Sequence, residues 1–140
     1  MKIIPISYTE VAAALIQLGD KVLIAERSTG SFKGRWEFPG GKLESGETPG
    51  ACLRREIREE LGIELPPLEL FSTWTYEYGE LQRFRFFGFW CQAPEKSPAP
   101  KKGVHSQLHW ADETDLSTFD LLEADRMIVP QIQSRLRARG

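Results

Sequence analysis

Gly41-Lys42-Leu43-Glu44-Ser45-Gly46-Glu47-Thr48-Pro49-Gly50-Ala51-Cys52-Leu53-Arg54-Arg55-Glu56-Ile57-Arg58-Glu59-Glu60-Leu61-Gly62-Ile63 is the stretch on which the reading of this chain turns. It opens as a glycine-bearing loop and continues as a helix. Thr48 is placed to cap that helix and Pro49 to fill its first position, because a threonine hydroxyl accepts from an orphan backbone N–H and proline has none to satisfy. Gly62 ends it, since glycine takes the left-handed conformation that closes a helix. Leu53, Ile57 and Leu61 recur at i, i+4 and i+8 and form one apolar stripe. Glu56, Glu59 and Glu60 stand at i, i+3 and i+4, which predicts converging carboxylates. Each like-charged pair costs about 0.2–0.5 kcal/mol, and a divalent cation relieves the repulsion. All-oxygen donors suit Mg²⁺ or Mn²⁺ rather than zinc. A cation held there grips a polyphosphate and lowers the pKa of a bound water. Taken alone, Glu-x-x-Glu-Glu is equally a solvated helix face.

On the amino-terminal side, Val11–Gln17 is an unbroken apolar run that reads as a buried strand, and Gly19-Asp20 turns it into a second strand, Lys21–Glu26, ending at Arg27. A loop, Ser28–Arg35, leads to a short strand at Trp36–Phe38 that Pro39-Gly40-Gly41 breaks. On the carboxyl-terminal side, Leu68–Tyr78 and Leu81–Gln92 are rich in aromatic and β-branched residues and read as a long hairpin about Gly79-Glu80. Ala93–Gly103, with three prolines and three lysines, is an exposed loop. Gln107–Ala111 is expected as a short strand. Ala124–Arg137 is expected as a terminal helix, with Pro130 a source of a kink.

A chain of 140 residues suits a single domain spanning 1–140. The net charge of -2 argues against a nucleic-acid polymer as partner, which usually meets a basic face, yet leaves a small nucleotide open. Cys52 and Cys91 form no CxxC pair and are expected as buried thiols in a reducing compartment. Met1–Glu10 is not strongly basic and the apolar run after it is short, so a membrane partner is not expected and a cytoplasmic location is.

The quoted stretch resembles the signature of the Nudix hydrolases, G-x5-E-x7-R-E-U-x-E-E-x-G-U with U aliphatic. Gly41, Glu47, Arg55, Glu56, Ile57, Glu59, Glu60, Gly62 and Ile63 fill every specified position. The resemblance implies an α+β fold, a Nudix-type α/β/α sandwich in which a loop–helix–loop packs on a mixed β-sheet. It implies that Glu56, Glu59, Glu60 and the carbonyl of Gly40 hold Mg²⁺, with Mn²⁺ a substitute, and that Glu47 pairs with Arg55 to brace the loop, which makes Arg55 an orienting residue. The implied reaction is attack of water on phosphorus, with metal stabilising the charge on the phosphoryl oxygens.

Trp36-Glu37-Phe38-Pro39-Gly40-Gly41-Lys42 is similar to the segment preceding the signature in the MutT-like branch, which cleaves nucleoside triphosphates, oxidised purine forms included, to monophosphate and pyrophosphate. On that resemblance Arg27 contacts phosphate and Lys42 stands beside the metal; surface charge is the other reading of both. Phe38 and Tyr78 are candidates to flank a base, or else pack in the core. Leu122-Glu123-Ala124-Asp125-Arg126 resembles the segment that presents a base-reading side chain. There Asp125 replaces an asparagine, and if ionised it only accepts hydrogen bonds, which suits the amino group of cytosine. It is otherwise a capping or first-turn acid. Val104 stands where such proteins often carry a glutamate six residues before the tryptophan, here Trp110. The neighbouring His105 is either a base or a solvated loop histidine. The expectation is a nucleoside triphosphate pyrophosphohydrolase, monomeric or homodimeric. Hydrolysis of a nucleoside diphosphate linked to another group, and a sensor without catalysis, stand as alternatives.

Overall fold

The computed structural model describes residues 7–101 and 103–138. Met1–Ile6 of the amino-terminal reading and Lys102 of the exposed loop lie outside the described residues. Seven strands form one mixed sheet, β1 (Thr9–Leu18), β2 (Lys21–Arg27), β3 (Trp36–Glu37), β4 (Gly40–Lys42), β5 (Glu69–Tyr78), β6 (Gln82–Gln92) and β7 (His105–Ala111). Four helices accompany it, α1 (Pro49–Leu61), α2 (Glu113–Thr118), α3 (Glu123–Arg126) and α4 (Val129–Ala138).

The apolar run of β1 is buried on both faces, as a central strand between two layers must be. Ala12, Ala14 and Ile16 face one cluster, with Leu23, Cys52, Leu53, Ile57, Leu61 and Cys91. Ala13 and Leu15 alternate to the other face, with Val22, Ile24, Trp90, Leu116, Ile132 and Leu136. The strand period of two thus divides one sequence run between two cores. The stripe Leu53-Ile57-Leu61 lies fully inside the first, and each of these side chains contributes about 1.5–3 kcal/mol by burial. Both cysteines are free and buried, and burial pushes each thiol up to about 11.

The topology opens a wedge. β1 runs parallel to β6 along Thr9–Gln17. β1 and β2 are antiparallel but pair only at Gln17–Val22 and Leu18–Lys21, next to their turn. Beyond that the hairpin parts, and the segment 36–42 fills the gap: β3 pairs with β2, and β4 pairs with β1. Ala14 N donates to the carbonyl of Pro39 at 2.8 Å, at the point where the segment changes sides. β7 takes the other edge of β2, with a register shift at Glu26/Arg27.

Two segments read from the sequence differ from expectation, and α2 was not expected at all. Gly40-Gly41-Lys42, read as loop, is a strand because its backbone completes the ladder of β1, against the low strand preference of glycine. The terminal helix is divided: α3 ends at Arg126, α4 begins at Val129, and Pro130 stands in the first turn of α4, where it lacks no hydrogen bond. The position kinks nothing; it starts a new helix. Among the described residues no helix is long and apolar enough to cross a membrane.

Candidate active site

α1 is fixed at both ends as its sequence dictates. The Thr48 hydroxyl accepts from Ala51 N, and Gly62 adopts φ 69°, its N–H donating to Arg58. With the apolar stripe held in the core, the acidic edge is turned toward the wedge. Gly41 lies against it: a Cβ there would come within 2.3–2.7 Å of the Glu56 side chain, so the absent side chain makes room for that carboxylate. At Gly40 a Cβ would lie 1.9 Å from the Ala12 carbonyl oxygen, so the pairing of β4 with β1 admits only glycine.

Arg55 is the hub of the acidic edge. Its Nε is 2.6 Å and its Nη2 2.9 Å from the two Glu47 oxygens, a bidentate pair. Its Nη1 reaches Glu56 at 2.9 Å and Glu59 at 3.5 Å. Glu47 also accepts from Glu44 N and is held at about 2, chiefly by Arg55. The loop before the helix is therefore tied to it by one guanidinium.

The convergence expected of Glu56, Glu59 and Glu60 is partial. Glu60 is buried and lines a cavity; Glu56 and Glu59 are drawn to Arg55. Among the described residues no three acidic, histidine or cysteine side chains already form a closed metal cage. The donor set nonetheless fits a cation. Glu60 Oε2 is buried with no hydrogen-bond partner, a costly state for a carboxylate oxygen. Burial first, then Glu56, Glu37 and Glu59, push the Glu60 carboxyl up to about 9, the mark of negative charge gathered without a counter-ion.

The cavity encloses about 430 Å³, within the range of small-ligand sites. Arg27, Phe38, Gly40, Lys42, Glu60, Tyr78 and Asp125, all selected from the sequence, line it together. Glu47, Arg55, Glu56 and Glu59 are not among its lining residues. Phe38 belongs at once to the lining and to the core. The Tyr78 hydroxyl accepts from Ala124 N at 3.1 Å, and its ring meets Phe32 and Phe84. The sequence reading passed over these two rings, both of which line the cavity, as does Phe86.

Asp125 is not a helix cap. α3 has Leu122 at its N-cap, with no side-chain cap bond. Asp125 is 5% exposed, and its Oδ2 accepts from Phe38 N at 3.2 Å. Burial, reinforced by Glu37, pushes its carboxyl well above the usual range. That shift favours the neutral form, in which a carboxyl both donates and accepts. His105 is corrected too. It is buried at the start of β7, and its Nε2 lies 2.9 Å from Glu37 Oε2. It is neither a solvated loop residue nor a wall of the cavity, whereas Val104 and Glu37 do line it.

The sequence model of the NUDIX domain matches residues 8–132. The chain therefore belongs to the NUDIX domain family, a family of hydrolases generally dependent on divalent metal. It is 32% identical to the CTP pyrophosphohydrolase of Escherichia coli, over 94% of this chain and 93% of that protein. It is 39% identical to the 8-oxo-dGTP diphosphatase of Haemophilus influenzae, over 71% of this chain and 91% of that one. Among solved structures, the MutT NUDIX hydrolase from Burkholderia pseudomallei superposes with a TM-score of 0.81 at 25% identity, covering 89% of this chain and 98% of that one.

Proposed function

We propose that this chain is a Mg²⁺-dependent pyrophosphohydrolase that cleaves a nucleoside triphosphate to the monophosphate and pyrophosphate. The observation that carries the reading is one cavity with two unlike carboxyls on its wall. Asp125 is buried and bonded to backbone, with its carboxyl raised by burial; Glu60 is buried with an unsatisfied oxygen beside a cluster of acids. Glu37, on the same lining, is close enough to raise both. Arg27 is close enough to Asp125 to oppose that rise. A nucleoside at the Asp125 end and a phosphate chain reaching to Glu60 match this order of groups.

Glu56, Glu59, Glu60 and the Gly40 carbonyl would hold the cation. Bound there, it supplies positive charge to the phosphoryl oxygens and lowers the pKa of a water. Arg55 sets the angle of Glu56 and ties Glu47 to the helix. Arg27 and Lys42 take phosphate oxygens, and Phe38 and Tyr78 supply flat apolar surface to the base. Two relatives bear names that share a triphosphate and differ in the base, CTP in one and 8-oxo-dGTP in the other. Asp125 in neutral form accommodates both kinds. It can accept from the cytosine amino group and donate to the adjacent ring nitrogen, or accept from N7–H of 8-oxoguanine and donate to O6. In that form the residue favours neither base.

The test is a screen of normal, methylated and oxidised nucleoside triphosphates with Mg²⁺ and Mn²⁺, in which pyrophosphate and orthophosphate are measured separately. Release of pyrophosphate with formation of monophosphate is expected. Orthophosphate as the first product, or tight nucleotide binding with no turnover in any combination, would overturn the reading.

A further inference from the structure

Behind Arg27 stands a chain of buried polar groups that the reaction as drawn does not use. Arg27 is on β2, with Glu37 on β3 and His105 on β7 at the opposite edges of that strand. Glu37 joins them. Its Oε1 accepts from Arg27 Nη1 at 3.0 Å, and its Oε2 lies 2.9 Å from His105 Nε2. The His105 side chain is 1% exposed and that of Glu37 15%. The register shift at Glu26/Arg27 brings Arg27 opposite His105, as a bulge re-aims a side chain. Two atoms of the chain are buried without a partner, Arg27 Nε and His105 Nδ1. With Nε2 as donor to Glu37, Nδ1 is a bare lone pair. Arg27 Nε is a different matter: a guanidinium N–H always carries its hydrogen, and this one is buried without an acceptor.

We propose that His105 is a positioning residue: through Glu37 it fixes the Arg27 guanidinium, which lines the cavity, to receive the phosphate retained on the nucleotide product. The proposal rests on the nucleotide reading above. Arg27 lines the cavity on the side where its charge is felt by Asp125, the nucleoside end. The phosphate next to the nucleoside is the one at that height, and the one that leaves with the monophosphate. A free arginine side chain carries much rotamer entropy; one tethered at Nη1 has less to lose when an oxygen arrives. His105 does the same for Glu37, which unheld would turn toward solvent or pull Arg27 with it.

The role has a signature that general damage to the site lacks. In His105→Leu, binding of CMP, GMP and 8-oxo-dGMP, measured by titration calorimetry, is expected to weaken about tenfold, the worth of a charge-assisted hydrogen bond. Binding of pyrophosphate in the presence of Mg²⁺ is expected to stay as in the wild type. KM for the triphosphate should rise with the monophosphate constant while kcat changes little. His105→Gln, whose amide nitrogen reaches as far as Nε2, should restore most of the loss. The decisive comparison is made in Arg27→Ala: adding His105→Leu there should have no further effect on monophosphate affinity, because the residue it acts through is gone. Unchanged monophosphate binding in His105→Leu, equal loss for monophosphate and pyrophosphate, or an undiminished effect in the Arg27→Ala background each overturns the proposal. Wild-type protein that binds none of the monophosphates overturns instead the nucleotide reading beneath it.

Discussion

The two ends of the cavity are built in opposite ways. The acidic end comes from one run of sequence: Gly41 and Glu60 line it, and they lie with Glu47, Arg55 and Glu56 within β4, the loop after it and α1, where Arg55 ties Glu47 to Glu56. The end proposed for the nucleoside is assembled from Arg27, Phe38, Tyr78 and Asp125, carried by β2, the wedge segment, β5 and α3. The first is held by helix geometry and the second by the register of the sheet. The lesson is a division between reaction and recognition: changes at one end are expected to act on kcat, and changes at the other on affinity.

The largest effect should come from the acidic end. Glu56→Gln and Glu60→Gln are each expected to lower kcat by about 10³-fold, the scale of losing a principal electrostatic group. Monophosphate affinity should hold, checked by pyrophosphate release and by calorimetry on the same preparations. Equal losses in both quantities would erase the division. Next is Gly41→Ala. Its Cβ must displace the Glu56 side chain, so kcat should fall by about 10²-fold while circular dichroism and the melting temperature report an intact fold.

At the other end, Asp125→Asn sharpens the comparison through pH. The Asp125 carboxyl is raised in the folded state. Its contribution to stability is therefore complete below the unfolded carboxylate pKa of about 4, and is lost as pH rises toward and through the raised value. The asparagine protein has no such loss. Its melting temperature should match that of the wild type below the unfolded carboxylate pKa of about 4 and exceed it increasingly as pH rises from there; parallel melting curves across pH would refute a raised, buried carboxyl. The smallest effect belongs to Tyr78→Phe. It removes the acceptor for Ala124 N and should cost about 1 kcal/mol, read as a two- to fivefold rise in KM, on the order expected for one neutral hydrogen bond, with kcat unaltered.

This contrast also governs what could be read in advance. The helix was legible because its stripe, its cap and its acids obey one period within a single segment. The pairing of Glu37 with His105 was not, because it depends on two strands meeting opposite edges of a third, past a register shift. Asp125 was placed in the right neighbourhood but its burial was not foreseen, since exposure of 5% is set by packing around α3 and not by its neighbours in sequence. α2 went unnoticed although a signal was present: Asp112 and Asp115 form a capping box, each side chain accepting from the other's backbone N–H. β4 offered no signal, because two glycines and a lysine form a strand only when another strand waits for them.

The wedge between β1 and β2 has one more consequence. Phe38, at the nucleoside end, and Gly40, at the proposed metal, are separated by Pro39 alone. On this reading the span from base to cleaved bond is measured off in covalent backbone, which cannot stretch. One residue inserted between them would move the two ends apart by about 3.5 Å, a step comparable to one link of a phosphate chain. Such a variant would test whether the choice of which anhydride breaks is written in the length of this peptide.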